Sequence, residues 1–87
     1  MKVTFSESAF QEYMSWQTED KKTILRINEL IKSIQRDGFI NGIGKPEALM
    51  HEYSGWWSRR IDEQNRIVYK VESNQVVIVQ CGGHYDE

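Results

Sequence analysis

The order of apolar and polar positions at the start of the chain predicts a short strand followed by a helix. Residues 2–5 alternate polar and apolar side chains, as a strand with one buried face does. From about residue 7 to residue 17, apolar side chains recur every three or four positions, which is the period of an amphipathic helix. Ser6 or Ser8 is placed to cap the beginning of this helix.

A second helix is predicted to begin near Thr18 or Asp20, and Gly38 is well placed just past its end. One stripe of this helix is apolar and carries Ile24, Ile27, Leu30, Ile31 and Ile34. The break between the two helices is short, so we expect a helical hairpin with joined apolar faces. Residues 38–46 then hold three glycines and the only proline, and we expect a loop there.

Strand-like segments follow the loop. They cover residues 48–53, 56–61, 66–72 and 76–80. Residues 73–74 (Ser-Asn) form a tight turn between the last two segments, which makes these two the clearest hairpin in the chain.

This order of elements predicts an α+β fold. An amino-terminal strand and a two-helix hairpin precede an antiparallel sheet of three to four strands, with the helices on one face. At 87 residues the chain fits a single domain, which we assign to residues 1–87. The other face of the sheet is then left for a partner or a ligand.

The composition is typical of a globular protein, with 39% hydrophobic and 28% charged residues. No apolar run approaches the ~20 residues that cross a membrane, and the first residues lack the apolar core of an export signal. The single cysteine, Cys81, excludes an internal disulfide. We therefore expect a cytoplasmic protein with no membrane partner.

The net charge of −2 argues against a nucleic-acid partner only when the whole chain is averaged. Residues 21–70 hold ten Lys and Arg residues against six Asp and Glu residues, whereas both ends of the chain are acidic. The basic middle of the chain leaves an anionic partner open.

Strand alternation predicts a cluster of charged side chains on the face of the sheet opposite the helices. If Ile67 and Tyr69 join the core, Arg66 points the other way, and either Arg59 or Arg60 joins it from the adjacent strand. The loop, the next strand and the end of the chain contribute further candidates, namely Lys45, Glu47, His51, His84 and Tyr85. A carboxylate, several cations, an imidazole and a phenol suit phosphoryl transfer without a metal ion.

Each of these residues also has an ordinary explanation, as a solvated strand charge or a loop residue. Cys81 and His84 have the spacing of metal ligands, but no clear second pair accompanies them. We therefore predict neither a metal nor another cofactor. A small structural thiol explains Cys81 better than a nucleophile does.

Several blocks of the sequence resemble, in order and spacing, the YoeB group of RelE-like bacterial toxins. They include Gly-Lys-Pro-Glu at residues 44–47, Trp-Ser-Arg-Arg-Ile at 57–61, Arg-Ile-Val-Tyr at 66–69 and His-Tyr at 84–85. Further blocks lie at residues 27–32 and 54–55, so the resemblance spans essentially the whole chain.

The resemblance implies a RelE-like fold and the toxin of a type II toxin–antitoxin pair. Such toxins are ribosome-dependent endoribonucleases that cleave messenger RNA and inhibit translation. The RNA's own 2′-hydroxyl attacks the adjacent phosphate, and no metal takes part. The implied partners are a YefM-like antitoxin, the ribosome and messenger RNA, with operator DNA bound only through the antitoxin complex. YoeB-like toxins also form homodimers.

The family motif assigns roles to individual residues. Glu47 matches the general base that takes the 2′-hydroxyl proton, and Arg66 matches the residue that stabilises the phosphorane charge. His84 matches the general acid for the leaving 5′-oxygen, and Tyr85 matches the terminal tyrosine that orients the substrate. Phosphate binding is expected of four further residues, namely Lys45, His51, Arg59 and Arg60.

The sequence departs from the family pattern at three places. Met50 stands where a lysine is expected, Gly82 and Gly83 replace bulkier residues, and residues 86–87 extend past the tyrosine. These departures leave an alternative open, which is a catalytically weak or inactive RelE-fold interaction module. Such a module binds an antitoxin and takes part in autoregulation at operator DNA.

Overall fold

The computed structural model describes residues 1–83 of the chain. In chain order they form β1 (Lys2–Phe5), α1 (Glu7–Glu19), α2 (Lys21–Asp37), β2 (Glu47–Ala48), a 3-10 turn (His51–Tyr53), β3 (Trp57–Arg60), β4 (Arg66–Glu72) and β5 (Gln75–Cys81). Within this part of the chain, no helix is long and apolar enough to span a bilayer. His84 and Tyr85, two of the predicted site residues, lie outside the described residues.

Caps set the helix ends where the sequence predicts them. The Ser6 hydroxyl accepts a hydrogen bond from the Ala9 backbone N–H at 3.2 Å, so Ser6 rather than Ser8 caps α1. The Asp20 carboxylate accepts hydrogen bonds from two backbone N–H groups in the first turn of α2. At the other end, Gly38 has a φ of 82° and donates its N–H to the carbonyl of Ile34 at 3.0 Å.

The described sheet has five strands in the order β1-β5-β4-β3-β2. β1 lies parallel to β5, and the other neighbouring strands are antiparallel. The predicted α+β fold is confirmed, although the sheet is mixed because the amino-terminal strand joins it beside the last strand. Ser73 and Asn74, with φ values of 49° and 56°, make the predicted two-residue turn between β4 and β5.

The strand predicted over residues 48–53 is wrong. Only Glu47 and Ala48 pair with β3, and the chain then enters the 3-10 turn. His51 has a φ of 59°, a left-handed conformation that no extended strand contains. Past this bend, the Leu49 N–H donates to the Trp56 carbonyl at 2.9 Å and holds the two ends of the segment together.

The core lies between the two helices and one face of the sheet. Its buried residues include Ala9, Ile27, Leu30, Ile34, Ile61, Ile67, Tyr69, Val76, Ile78 and Cys81. Strand side chains that alternate with these residues lie on the opposite side of the sheet. We call this side the far face and define it by Glu47, Trp56, Ser58, Arg60, Arg66, Val68, Lys70, Glu72 and Gln80.

Candidate active site on the far face

Strand register places a carboxylate and two arginines together on the far face. Glu47 on β2 pairs with Ser58 on β3, and Ser58 pairs with Val68 on β4. In the adjacent row, Arg60 pairs directly with Arg66. Residues that oppose each other in this way have Cβ atoms about 5 Å apart on the same face. The structure therefore brings Glu47, Arg60 and Arg66 onto one surface.

Arg66 contacts both of its neighbours in the site. Its Nη1 lies 3.8 Å from Glu47 Oε2 and donates to Ser58 Oγ at 3.2 Å. Because the Glu47 side chain is 63% exposed, this ion pair contributes at most about 1 kcal/mol to stability. The carboxylate and the guanidinium remain accessible to a ligand, while the Ser58 hydroxyl orients Arg66. Sequence analysis missed Ser58, which shares the far face with Arg60 because the two residues lie two positions apart on β3.

The two consecutive arginines of β3 lie on opposite faces of the sheet. Arg60 is exposed on the far face, as a phosphate-binding residue needs to be. Arg59 is fully buried on the core face, so the expectation that Arg59 binds phosphate is wrong. A guanidinium without contact to solvent cannot reach an RNA backbone.

The Arg59 guanidinium holds the loop that follows α2 against the core. Its Nη groups donate to Ser33 Oγ and to three loop carbonyls at 2.6 to 3.0 Å, those of Gly38, Asn41 and Ile43. Its Nε donates to the hydroxyl of Tyr69 at 2.8 Å. The polar partners compensate for the burial of the charge. Arg59 therefore has a structural role, which is to hold the loop from its position on β3.

Tyr69 completes this buried network. Its hydroxyl accepts from Arg59 and donates to the carbonyl of Phe39 at 2.9 Å, so both of its hydrogen-bonding functions are used. Burial raises the pKa of Tyr69 above its usual value, which keeps the phenol protonated as the donor that Phe39 requires.

Two further candidates, Lys45 and His51, lie in the segments before and after β2. Gly44 accepts a hydrogen bond from the Arg60 backbone N–H at 2.7 Å, which fixes the chain three residues before Glu47. Lys45 follows with a φ of 52° and is exposed beside this contact. His51 is exposed at the start of the 3-10 turn, beyond β2. Lys45 thus lies two residues before Glu47 in the chain, whereas His51 belongs to the separate 3-10 segment.

The end of the described chain runs directly past Arg66. The backbone of Arg66 accepts from the Gly82 N–H at 2.9 Å and donates to the Gly83 carbonyl at 3.0 Å. The Gly83 N–H donates to Asn65 Oδ1 at 2.7 Å. Gly82 has a φ of 134°, and a Cβ there would lie 3.0 Å from Trp16 Nε1. This path favours glycine and places the last described residue beside the site.

Neither a metal centre nor a reactive thiol is found within residues 1–83. No group of three or more His, Cys, Asp or Glu side chains in this range could hold a metal ion. Cys81 is fully buried, and burial, with a smaller contribution from the nearby Glu12 carboxylate, raises the pKa of its thiol to about 12. A neutral buried thiol is a packing group rather than a nucleophile.

The chain matches one protein family over nearly its whole length. The family profile described as the YoeB-like toxin of bacterial type II toxin–antitoxin systems matches residues 5–85. A protein named Toxin YoeB from Streptomyces coelicolor is 48% identical over 85 residues, which cover 98% of this chain and 100% of that protein.

Solved structures of similar proteins have the same fold. The toxin in the heterotetrameric YoeB–YefM toxin–antitoxin complex from Staphylococcus aureus superposes with a TM-score of 0.91 at 47% identity, over 98% of both chains. A YoeB dimer from the same organism superposes with a TM-score of 0.92 at 47% identity, again over 98% of both chains.

Proposed function

This chain belongs to the YoeB-like toxins of bacterial type II toxin–antitoxin systems, and we propose that it is an endoribonuclease that cleaves messenger RNA on the ribosome. The 2′-hydroxyl of one nucleotide attacks the adjacent phosphate, and the bond to the 5′-oxygen of the next nucleotide breaks. The products are a 2′,3′-cyclic phosphate and a 5′-hydroxyl end. Side chains supply the acid, the base and the positive charge, so the reaction takes place without a metal ion.

The observation that carries this proposal is the contact of Glu47 with Arg66 at 3.8 Å on an accessible surface. Glu47 takes the proton of the 2′-hydroxyl. A carboxylate is a weak base for a hydroxyl, so positioning and charge stabilisation supply much of the rate. Arg66 stabilises the negative charge that develops on the phosphorane, because its planar guanidinium donates to two oxygens at once.

His84 and Tyr85 complete the site in this proposal. His84 protonates the leaving 5′-oxygen, because an imidazole is the side chain best able to give up a proton near neutral pH. Tyr85 orients the substrate. The position of Gly83 against Arg66 supports both roles, because His84 directly follows it. Lys45, His51 and Arg60 bind neighbouring phosphates, since cations at the rim of the site attract the RNA backbone.

Cleavage of messenger RNA on translating ribosomes tests the proposal. The wild-type protein is expected to cut the message and to leave 5′-hydroxyl ends. Glu47→Gln and Arg66→Gln are expected to slow cleavage by about 100-fold or more, because each removes a group that acts in the transition state. Cleavage of free RNA at high protein concentration in EDTA tests metal independence separately.

Matched controls come from exposed charges on α2. Glu29→Gln and Arg36→Gln make the same changes of charge away from the far face and are expected to leave cleavage unchanged. If the wild-type protein does not cut the message and its expression without a partner leaves bacterial growth unaffected, the proposed activity is wrong. The catalytically inactive interaction module is then the better description.

The partners follow from the same family membership. We propose that a YefM-like antitoxin binds this chain, as in the Staphylococcus aureus complex, and that operator DNA is bound only through the antitoxin complex. A homodimer is proposed from the Staphylococcus aureus dimer. Since its target is the translating ribosome, we place the protein in the cytoplasm. Sedimentation of the chain with and without its antitoxin measures both assemblies.

A further inference from the structure

A tryptophan and a lysine, Trp56 and Lys70, lie together on the far face, beyond the candidate active site. Lys70 is on the same face of β4 as Arg66, four residues further along the strand. Its Nζ lies 4.6 Å from the centroid of the Trp56 ring. Trp56 directly precedes β3, so it alternates with Trp57 and continues the far-face row of Ser58 and Arg60. Neither Trp56 nor Lys70 has a role in the cleavage chemistry above.

The distance between the two groups fits a single bound RNA strand. Four residues along a strand correspond to about 13 Å, so Lys70 lies about that far from Arg66 along β4. Between them is the row that contains Ser58 and Val68. Consider an RNA strand that runs along β4 with its scissile phosphate at Glu47 and Arg66. A nearby nucleotide of this strand then reaches Trp56 and Lys70.

Hydrogen bonds fix the backbone of Trp56 on both sides. Its N–H donates to the Tyr53 carbonyl at 3.0 Å, and its carbonyl accepts from the Leu49 N–H at 2.9 Å. These bonds fix the backbone at Trp56, and the Lys70 ammonium over the ring limits the freedom of the side chain. A pre-positioned aromatic ring loses little freedom when a base stacks on it.

Lys70 remains partly available to an anion. Its side chain is 32% exposed, and its Nζ lies 3.5 Å from the Glu72 carboxylate. Because the Glu72 side chain is itself 51% exposed, this ion pair is weak and a phosphate competes with it. An aromatic ring beside a lysine is the combination that single-stranded RNA sites use, with stacking on the ring and attraction of the backbone.

We infer that Trp56 and Lys70 form a second nucleotide-binding subsite for the RNA, in which a base stacks on Trp56 and Lys70 contacts the adjoining phosphate. The inference rests on the proposed function, because it extends the RNA path from the cleavage site. It predicts that these residues affect RNA affinity and KM, whereas Glu47 and Arg66 govern kcat.

Binding of a single-stranded 2′-O-methyl oligonucleotide tests the subsite, since this probe cannot be cleaved. Fluorescence anisotropy is measured over a range of salt concentrations. Trp56→Leu is expected to weaken binding about tenfold, and Trp56→Phe to weaken it less, because a smaller ring still stacks. Lys70→Gln is expected to lower the slope of log Kd against log salt by about 0.7, the value for one phosphate contact on a single strand.

Two controls separate binding from a purely structural cation–π contact. Lys32→Gln removes the same charge from α2 and is expected to leave the salt slope unchanged. Thermal unfolding of each variant shows whether its fold is intact. If Lys70→Gln and Trp56→Phe are folded and bind the probe with the wild-type Kd and salt slope, the inference is wrong.

The outcome is independent of the cleavage test. If the wild-type protein cuts messenger RNA on ribosomes but the Trp56 and Lys70 variants keep the wild-type KM and probe affinity, only the subsite is refuted. If probe binding depends on both residues but no message is cut, the RNA surface is supported and the proposed activity is refuted.

Discussion

Replacing Arg59 with methionine removes the guanidinium that ties the loop after α2 to the core, while the same change at Arg60 removes an exposed charge. The two residues are adjacent on β3, so the pair of variants compares one chemical change on the two faces of the sheet. Arg59→Met is expected to destabilise the fold. Arg60→Met is expected to keep the fold and to weaken RNA binding.

The size of the Arg59 effect follows from its described contacts. The guanidinium makes five hydrogen bonds to residues between 33 and 69, and the residue is fully buried. Hydrogen bonds from a charged donor are worth about 1.5–3 kcal/mol each. Part of that sum is offset by the cost of burying the charge, and the loop carbonyls regain water if the loop opens. We therefore expect a net loss of about 3–5 kcal/mol.

Urea unfolding followed by tryptophan fluorescence measures this loss. A chain of this length has a stability of about 4–13 kcal/mol, so Arg59→Met removes a large fraction of it and lowers Tm by about 12 °C or more. Arg60→Met is expected to change the free energy of unfolding by less than about 0.5 kcal/mol. Equal unfolding midpoints for the two variants would refute the structural role of Arg59.

Two further predictions concern residues that flank secondary-structure elements, namely Gly82 after β5 and Asp20 at the beginning of α2. Gly82→Ala introduces a Cβ 3.0 Å from Trp16 Nε1 at a φ of 134°, so it is expected to cost about 1–2 kcal/mol and to shift the Trp16 fluorescence. Gly83→Ala meets only Gln80 Nε2 at 3.9 Å and is the milder comparison; equal costs for the two variants would contradict the clash. Hydrogen bonds from the side chain and backbone of Thr23 lower the pKa of Asp20 in the folded state. This carboxylate therefore stabilises the fold above its unfolded pKa, and that contribution is lost as the pH falls through the lower folded value. Asp20→Asn is expected to lose less Tm than the wild-type protein between pH 7 and pH 3, and an identical loss would exclude a role for the Asp20 charge.

Strand alternation was sufficient to predict which strand residues join the core and which lie on the face of the candidate site. Ile67 and Tyr69 are core residues, and Arg66 points to the far face. The same rule places Arg59 and Arg60 on opposite faces but does not tell which one is buried, because both are arginines. The partners of Arg59 decide the question, and they include loop carbonyls 16 to 21 residues away in the chain. Every residue has a backbone carbonyl, so the amino-acid sequence does not show which carbonyls Arg59 binds.

Two other features lay beyond local pattern for the same reason. The parallel pairing of β1 with β5 joins residues about 73 positions apart, such as Lys2 and Gln75, and no turn signal marks such a contact. The bend at His51 depends on a positive φ at a residue type that only occasionally adopts it. Local periodicity therefore predicted the helices and the β4–β5 hairpin well, whereas long-range pairing and unusual backbone conformations required the structure.

The arrangement of charge on the fold bears on the proposed binding of RNA by an acidic chain. The net charge is −2, yet among residues 1–83 the far face carries three cations, Arg60, Arg66 and Lys70, against two carboxylates, Glu47 and Glu72. The amino-terminal helix carries an excess of acidic residues, and it packs on the other side of the sheet. Charges separated in this way orient an approaching polyanion towards the far face, although the molecule as a whole repels it. Neutralising one far-face cation should therefore weaken RNA binding more than removing one acid from α1 strengthens it, because only the cation acts within a Debye length of the bound phosphate.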